Sequence, residues 1–161
     1  MTEVRIQPAV MADMPEILEI RYDAVDKAVR AVYSPRELKV YLQDVDLEQI
    51  RGMIAGGRFF KACDGAGRIL GCGGWEKQRL KHFHVRPEWH GQGIGRQLVE
   101  HTEQHFLAHS GHTALGAGVM PNAGPFYQKV GYTFVAERID WDGSRYLWFE
   151  KALSAPHCEQ V

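Results

Sequence analysis

Cysteine is scarce in this sequence, and its placement excludes two common kinds of site. The 161 residues contain three cysteines, Cys63, Cys72 and Cys158, which form an odd and widely spaced set. Neither a disulfide framework nor a CxxC metal motif fits that spacing. We therefore predict reduced thiols in a cytoplasmic protein.

Long apolar runs and an excess of one charge are also lacking. No stretch approaches the roughly 20 apolar residues that a membrane helix needs, and residues 1–6 lack the apolar segment of a signal peptide. Basic and acidic side chains number 19 and 20, which disfavours a nucleic-acid partner because such proteins carry a basic surface. We expect one cytoplasmic domain over residues 1–153 and a loose tail over 154–161, with neither a membrane nor a nucleic acid as partner.

Strand and helix patterns alternate regularly along the chain. Strand patterns occupy residues 4–9, 58–64, 68–77, 79–85, 113–119, 133–139 and 145–151. Helical patterns occupy residues 13–32, 34–42, 46–55, 94–110 and 125–130. This order predicts a mixed sheet with helices packed on it.

A glycine-rich loop joins the strand pattern at 79–85 to the helix pattern at 94–110. It contains Gly91, Gly93 and Gly95, and glycines at such a junction let backbone N–H groups approach a ligand. The first N–H groups of a helix have no intrahelical partner, and the helix dipole adds positive charge there. The loop therefore indicates an anion site, with a phosphate as the simplest ligand. Its spacing matches neither a P-loop nor the dinucleotide fingerprint, and a purely structural loop is the alternative.

A second motif lies about 30 residues further on, where residues 122–132 read Asn-Ala-Gly-Pro-Phe-Tyr-Gln-Lys-Val-Gly-Tyr. With the loop at 85–95, it resembles the two motifs of the GNAT superfamily of acyl-CoA-dependent N-acyltransferases, in the family's order. The resemblance covers about residues 3–151. It implies an α/β (α+β) fold, a mixed and mostly antiparallel twisted sheet of about seven strands with helices on both faces.

The resemblance implies acetyl-CoA as the cosubstrate, and no metal. It places the pyrophosphate on the loop amides, the pantetheine arm beside residues 83–85, and Tyr127 as the general acid for the leaving thiolate. His90 departs from the family, which usually has Arg or Gln at that position and so one more phosphate contact. The residues expected to contact CoA are Phe83, His84, Val85, His90, Gly91, Gln92, Gly93, Ile94, Gly95, Arg96, Asn122, Tyr127 and Lys129.

The general base has no clear counterpart in this sequence. Many relatives carry a glutamate six residues before the position matched by Val85, where this chain has Arg79, which keeps its proton at neutral pH. Glu76, His82 and His84 are the candidate bases, and His82 and His84 are expected to alternate onto one strand face. A chain of water molecules is the alternative.

The acceptor side has fewer sequence signals. In the family, the helices between residues 13 and 55 border the acceptor groove, and Tyr22, Tyr33 and Glu76 are candidate acceptor contacts. No acidic cluster is present for a polycationic acceptor, so a small-molecule amine and a protein amine both stay open. Dimers are common among similar proteins, which makes a homodimer an expected assembly.

Three histidines recur at helical spacing, at His101, His105 and His109. Spacing of four residues puts neighbours on one helix face, as a pair of metal ligands requires. No carboxylate or cysteine completes a ligand set in sequence. We therefore interpret the three as a helix flank and predict no metal site.

These expectations converge on an N-acetyltransferase that moves an acetyl group from acetyl-CoA to a primary amine, by direct attack in a ternary complex. Two alternatives stay open at the level of sequence. One is a CoA-binding sensor or interaction module without catalysis, and the other is an N-acyltransferase that uses a different acyl-CoA.

Overall fold

The computed structural model describes residues 3–24, 34, 44–141, 143 and 145–154. The strands are β1 Arg5–Pro8, β2 Phe59–Cys63, β3 Ile69–Glu76, β4 Arg79–Val85, β5 Ala114–Val119, β6 Thr133–Ile139 and β7 Arg145–Ala152. The helices are α1 Met14–Ala24, α2 Asp44–Ala55, α3 Ile94–Ser110 and α4 Gly124–Lys129. Short 3-10 turns at Met11–Asp13, Pro87–Trp89 and Pro121–Ala123 precede α1, the glycine loop and α4.

The seven strands form one sheet in the order β1-β2-β3-β4-β5-β7-β6. Every neighbouring pair is antiparallel except β4 and β5, which are parallel. The β4–β5 ladder contains two register pairs, Arg79 with Gly116 and Leu80 with Ala117. Residues 81–85 of β4 therefore run on without a ladder partner on β5, and the sheet divides at this point.

Helices cover both faces of the sheet. Adjacent residues of a strand point to opposite faces, and on β2 Phe60 packs with the α3 residues Leu98 and Phe106, whereas Phe59 packs with the α1 residue Ile17. The helix α2 adds Ile50, Met53 and Ile54 to the face that carries α1. The predicted fold class is confirmed: a mixed, mostly antiparallel sheet of seven strands between helices.

The predicted element boundaries agree with the structure to within about two residues in the described parts. The helix α3 begins at Ile94 and ends at Ser110, as predicted, because Gly93 and Gly111 flank it in the left-handed conformation. The helix predicted over 13–32 is described only through Ala24, and the helix predicted over 34–42 lies outside the described residues except for Ser34. Of the predicted tail, only Ser154 is described.

Within the described residues, no helix combines the length and apolarity required to cross a membrane.

Candidate functional site

A cleft of about 880 Å³ opens where β4 and β5 separate. Residues 81–85 of β4 form one wall, and Gly118, Val119 and Met120 after the divergence form the other. The glycine loop and α4 line the cleft as well. Of the residues predicted to contact a cofactor, all except Gln92 line this cleft.

Two groups of lining residues carry different chemistry. We call residues 90–96, with Lys129, the loop region. We call Arg21 and Ala24 of α1, with residues 81–84 of β4, the bulge region. Tyr127 of α4 also lines the cleft.

The loop region offers backbone amides. Gly91 and Gly93 have φ values of 80° and 81°, a left-handed conformation that costs a residue with a side chain free energy. The N–H of Gln97 donates to the carbonyl of Gly93 at 3.0 Å and is the first helical bond of α3. The N–H groups of residues 94–96 precede that bond, so they have no intrahelical acceptor. Together with the α3 dipole they form an anion-binding end.

Gly95 serves a different purpose from the other two loop glycines. A Cβ at this position would lie 2.9 Å from the ring of Phe126. The absence of a side chain therefore lets the start of α3 approach α4 closely. This contact places the loop amides and Tyr127 on the same cleft.

His90 closes the loop onto the end of β4. Its Nε2 lies 2.8 Å from the carbonyl oxygen of Val85 and donates to it. The ring is exposed, and this hydrogen bond connects the start of the loop to the end of β4.

A bulge in β4 brings two histidines to the cleft. Cys72 pairs with His84 and Gly74 with Lys81, so the single residue between them on β3 faces two on β4. His82 has a φ of 62°, and its Nε2 donates to Gln49 Oε1 at 2.8 Å. The simple alternation expected for this strand is thus interrupted at the bulge, although both rings line the cleft.

Both imidazoles are neutral at physiological pH. Burial lowers the pKa of His84 to about 3, with a further contribution from the charge of Arg21. Burial also lowers the pKa of His82 well below its usual value, and the charges of Arg21, His84 and Lys81 add to the effect. Each ring can accept or donate a hydrogen bond, but neither holds an extra proton near pH 7.

Tyr127 is fixed by aromatic neighbours. It is 8% exposed and makes edge contacts with Phe126 and Tyr132 at ring-centroid distances of 5.2 and 5.9 Å. The ring of Phe149 lies 6.3 Å away. The Tyr132 N–H donates to the Tyr127 carbonyl at 2.9 Å, which ties the end of α4 to the strand that follows. The ring thus has a set orientation within the cleft wall.

Other predicted site residues are placed away from the cleft. Glu76 does not line it, and its carboxylate pairs with Arg58 at 2.5 Å beside the β3–β4 turn. Tyr22 is 54% exposed and is not a lining residue. Tyr33 lies outside the described residues. The guanidinium of Arg79 lies 4.7 Å from the centroid of the Trp148 ring.

Arg86, the residue that follows β4, is a buried charge. It is 3% exposed, and its guanidinium donates to Glu19 Oε1 and to the Ile69 carbonyl, each at 2.7 Å. It joins α1 to the sheet and is absent from the cleft lining.

Arg21, Lys81, Asp140 and Arg145 line the cleft and were not singled out from the sequence. Arg21 did have a signal, because it follows the buried Ile17 by four residues and so lies on the inward face of α1. A cation on an apolar helix face is uncommon unless it has a partner or a task.

The three histidines of α3 and the thiol of Cys72 do not line the cleft. The histidines are His101, His105 and His109. The ring of His101 lies 4.7 Å from that of Phe60, and Trp75 Nε1 donates to His105 Nδ1 at 2.9 Å. Among the described residues, no group of three metal-ligating side chains is found. Cys72 is 1% exposed, and burial raises the pKa of its thiol to about 12, so it is protonated and unreactive.

Several solved structures share this fold. A GCN5-related N-acetyltransferase from Rhodopseudomonas palustris is 19% identical, with a TM-score of 0.80 over 95% of this chain and 98% of that one. A GNAT-family acetyltransferase from Staphylococcus aureus is 16% identical, with a TM-score of 0.74 over 94% and 100% of the two chains. The PaiA N-acetyltransferase from Thermoplasma acidophilum, in complex with coenzyme A, is 16% identical, with a TM-score of 0.73 over 93% and 99%.

No curated protein sequence matches this chain. The sequence model of the acetyltransferase (GNAT) domain does match it, over residues 29–153. That span contains the glycine loop, the β4 bulge and Tyr127, but not helix α1, which adds Arg21 and Ala24 to the cleft lining. The chain belongs to the GNAT acetyltransferase family.

Proposed function

We propose that this protein is an acetyl-CoA-dependent N-acetyltransferase that acetylates a primary amine by direct attack in a ternary complex. Family membership supports acyl-CoA-dependent acetyl transfer in general. The observation that carries the finer proposal is the shared cleft. It is lined by the loop region, by residues 81–85 of β4, where the ladder with β5 has ended, and by Tyr127.

The loop region fits the pyrophosphate of CoA. The N–H groups of residues 94–96 lack intrahelical acceptors, and Arg96 and Lys129 line the same region. Oriented amides and two cations are the donors that a diphosphate requires. We therefore assign pyrophosphate binding to the loop amides, with the two cations as additional contacts.

The end of β4, beyond its ladder with β5, fits an extended, amide-bearing chain. Residues 81–85 form no ladder pair with β5, so a pantetheine arm can lie beside them as an added strand would. When bound, acetyl-CoA supplies a thioester whose carbonyl carbon accepts the amine. A backbone N–H near residues 83–85 donates to the thioester oxygen and stabilises the negative charge that develops there.

Tyr127 acts on the leaving group. As the N–C bond forms and the C–S bond breaks, the phenol O–H donates to the departing sulfur. A phenol has a reference pKa near 10 and a thiol near 8.5, so full transfer of the proton is uphill by roughly 2 kcal/mol. We expect Tyr127 to contribute both as a hydrogen-bond donor and as a general acid.

Removal of the amine proton falls to water. The pKa values of His82 and His84 are too low for either ring to hold that proton at neutral pH, and Glu76 is paired with Arg58. The neutral rings can position water or the amine by hydrogen bonds, which makes them positioning residues in this proposal.

The decisive experiment follows thiol release from acetyl-CoA with a panel of amines, for the wild type and Tyr127→Phe. We expect kcat to fall roughly 10- to 1,000-fold in the variant, as for loss of an acid catalyst, with CoA affinity nearly unchanged. Tyr146→Phe is the matched control, because it removes a hydroxyl from a residue outside the cleft lining. An unchanged kcat in Tyr127→Phe would remove the acid role, and tight CoA binding without turnover on any amine would favour a sensor.

A further inference from the structure

The bulge in β4 turns His82 away from the sheet face that strand alternation predicts for it. Leu80, two residues earlier, packs in the core with the α3 residues Leu98 and Phe106, and residues two apart on a strand share a face. The His82 ring instead contacts Gln49 of α2, which packs on the opposite face of the sheet. Bulges that re-aim a side chain in this way are frequent next to active sites.

Gln49 holds the His82 ring by one of its two nitrogens. The Nε2 N–H of His82 donates to Gln49 Oε1 at 2.8 Å. A neutral imidazole carries a single N–H, so a ring that donates from Nε2 has a lone pair at Nδ1. Gln49 therefore favours the tautomer in which Nδ1 is a hydrogen-bond acceptor.

The Nδ1 atom of His82 is accessible from the cleft. His82 is half-buried and lines the cleft between Lys81 and Phe83. Within the part of the chain that the structure describes, Gln49 is the hydrogen-bond partner of the ring, and neither ring nitrogen is a fully buried atom that lacks a partner. Nδ1 therefore keeps surface that a water molecule can reach.

The surroundings of the ring keep it neutral. Burial lowers the pKa of His82, and three neighbouring groups add to the effect: Arg21 of α1, with His84 and Lys81 of β4. On β3, the protonated thiol of Cys72 donates to the His82 carbonyl at 4.0 Å. A ring that stays neutral at physiological pH offers its Nδ1 lone pair in every molecule of the enzyme.

We propose that Gln49 is a positioning residue for acetyl transfer, which orients His82 so that Nδ1 accepts a hydrogen bond from the water that takes the amine proton. This role rests on the proposed acetyl transfer. As the N–C bond forms, the N–H bond breaks and the proton moves to the water oxygen, while an O–H of that water donates to Nδ1. The hydrogen bond polarises the water and makes it a better proton acceptor. The proton then passes to solvent, and the imidazole ends the step as neutral as it began.

The first test determines the tautomer directly and needs no turnover. Two-dimensional proton–nitrogen NMR spectra distinguish a protonated from an unprotonated imidazole nitrogen. The variant His82→Asn assigns the signals, because asparagine tolerates the positive φ of this position better than most residues. We expect the Nε2–H form in the wild type at pH 7.5 and a mixture of both forms in Gln49→Leu. A predominant Nδ1–H form in the wild type, or the same tautomer population in both proteins, would overturn the proposal.

The second test measures thiol release from acetyl-CoA with the amine panel. In Gln49→Leu we expect kcat to fall roughly 10-fold, the value of one hydrogen bond to a group that gains charge, with KM for acetyl-CoA unchanged. Gln49→Glu retains an acceptor for the Nε2 N–H, so it should recover most of that loss above pH 8. Its carboxylate raises the pKa of His82, so kcat should begin to fall at a higher pH on the acid side than in the wild type. A packing role for Gln49 produces no such shift.

The matched controls are Gln104→Leu and Gln104→Glu, which make the same changes at an exposed position of α3 outside the cleft lining. Both should keep the wild-type kcat and pH profile. A further comparison asks whether Gln49 acts through His82. The double variant of Gln49→Leu with His82→Asn should have the kcat of His82→Asn alone, and losses that add would overturn the proposal.

The remaining outcomes separate this proposal from acetyl transfer. Turnover by Gln49→Leu at the wild-type kcat overturns the role of Gln49 and leaves acetyl transfer intact. CoA binding by the wild type without turnover on any amine contradicts acetyl transfer and, with it, this role. If Gln49→Leu fails to fold, the wild-type tautomer and the pH profile of Gln49→Glu decide the proposal.

Discussion

The two regions of the cleft are built from different parts of the polypeptide. In the loop region the working groups are backbone amides, presented by glycines at positive φ before α3. In the bulge region they are the side chains of Arg21, His82 and His84, held where α1 packs on β4. The first region depends on a local conformation and the second on a tertiary contact.

This difference explains why the loop region, unlike the bulge region, could be predicted from the sequence. A position that requires a positive φ is usually occupied by glycine, so the sequence itself shows it. The backbone N–H groups presented there bind an anion without any particular side chain. The charge state of His84 depends on burial and on Arg21, which belongs to a distant helix. Nothing in the residues beside His84 shows that its pKa is so low.

The largest expected effect tests whether the backbone N–H groups of the loop region bind the pyrophosphate. Gly93→Val places a β-branched residue at a φ of 81°, which costs roughly 1–3 kcal/mol or shifts the amides out of position. We expect the Kd for CoA to rise by roughly 100-fold, measured by calorimetric titration.

The control for that change is Gly65→Val in the β2–β3 turn. Gly65 has no positive φ, and a Cβ there meets nothing within 4 Å. This variant should bind CoA as the wild type does. Unaltered affinity in a folded Gly93→Val protein would mean that the pyrophosphate lies elsewhere.

The second effect is a dependence of the free energy of unfolding on pH. It tests whether His84 of the bulge region is kept neutral in the folded protein. The pKa of His84 is about 3 in the folded protein, against 6.5 for the unperturbed group. Between these values the unfolded chain binds more protons, so the free energy of unfolding is highest above pH 6.5 and falls as the pH is lowered. The loss is about 1.4 kcal/mol per pH unit, or about 2 kcal/mol from pH 6.5 to 5.

Urea denaturation at pH 7.5, 6.5 and 5.0 measures this dependence for the wild type and His84→Gln. The variant should lose less stability than the wild type over that interval. His112→Gln, at an exposed position after α3, should keep the wild-type slope. Equal slopes for wild type and His84→Gln would show that His84 is not held neutral.

The smallest effect concerns the side chain that braces the loop region. His90→Ala removes the bond to the Val85 carbonyl at an exposed position, which is worth about 1 kcal/mol. We expect a loss of CoA affinity of roughly 5-fold, and His90→Gln, which retains an N–H donor, should stay within about 2-fold. A loss above about 50-fold in His90→Ala would instead place this side chain directly on the phosphate.

The sequence predicted much of the fold because the signals for its elements are local. The flanking glycines mark both ends of α3, and Asp64-Gly65-Ala66-Gly67 predicts the turn between β2 and β3, where Gly67 N–H donates to the Asp64 carbonyl at 3.1 Å. The register between strands could not be predicted in the same way. At the bulge in β4 the two strands approach closely, since a Cβ on Gly73 would lie 2.4 Å from the Phe83 ring. That contact exists only once β3 and β4 have paired.

Sequence patterns alone determined where this chain could hold an anion, because positive φ at Gly93 and the orphan amides of α3 follow from residues within one loop. Tertiary structure decided the electrostatics of the rest of the cleft. It buried Arg21 beside two neutral histidines, turned Arg86 toward Glu19 and away from the cleft, and paired Glu76 with Arg58. Charge, burial and pKa are properties of neighbourhoods in space, and these neighbourhoods form only when α1 packs against the divided sheet.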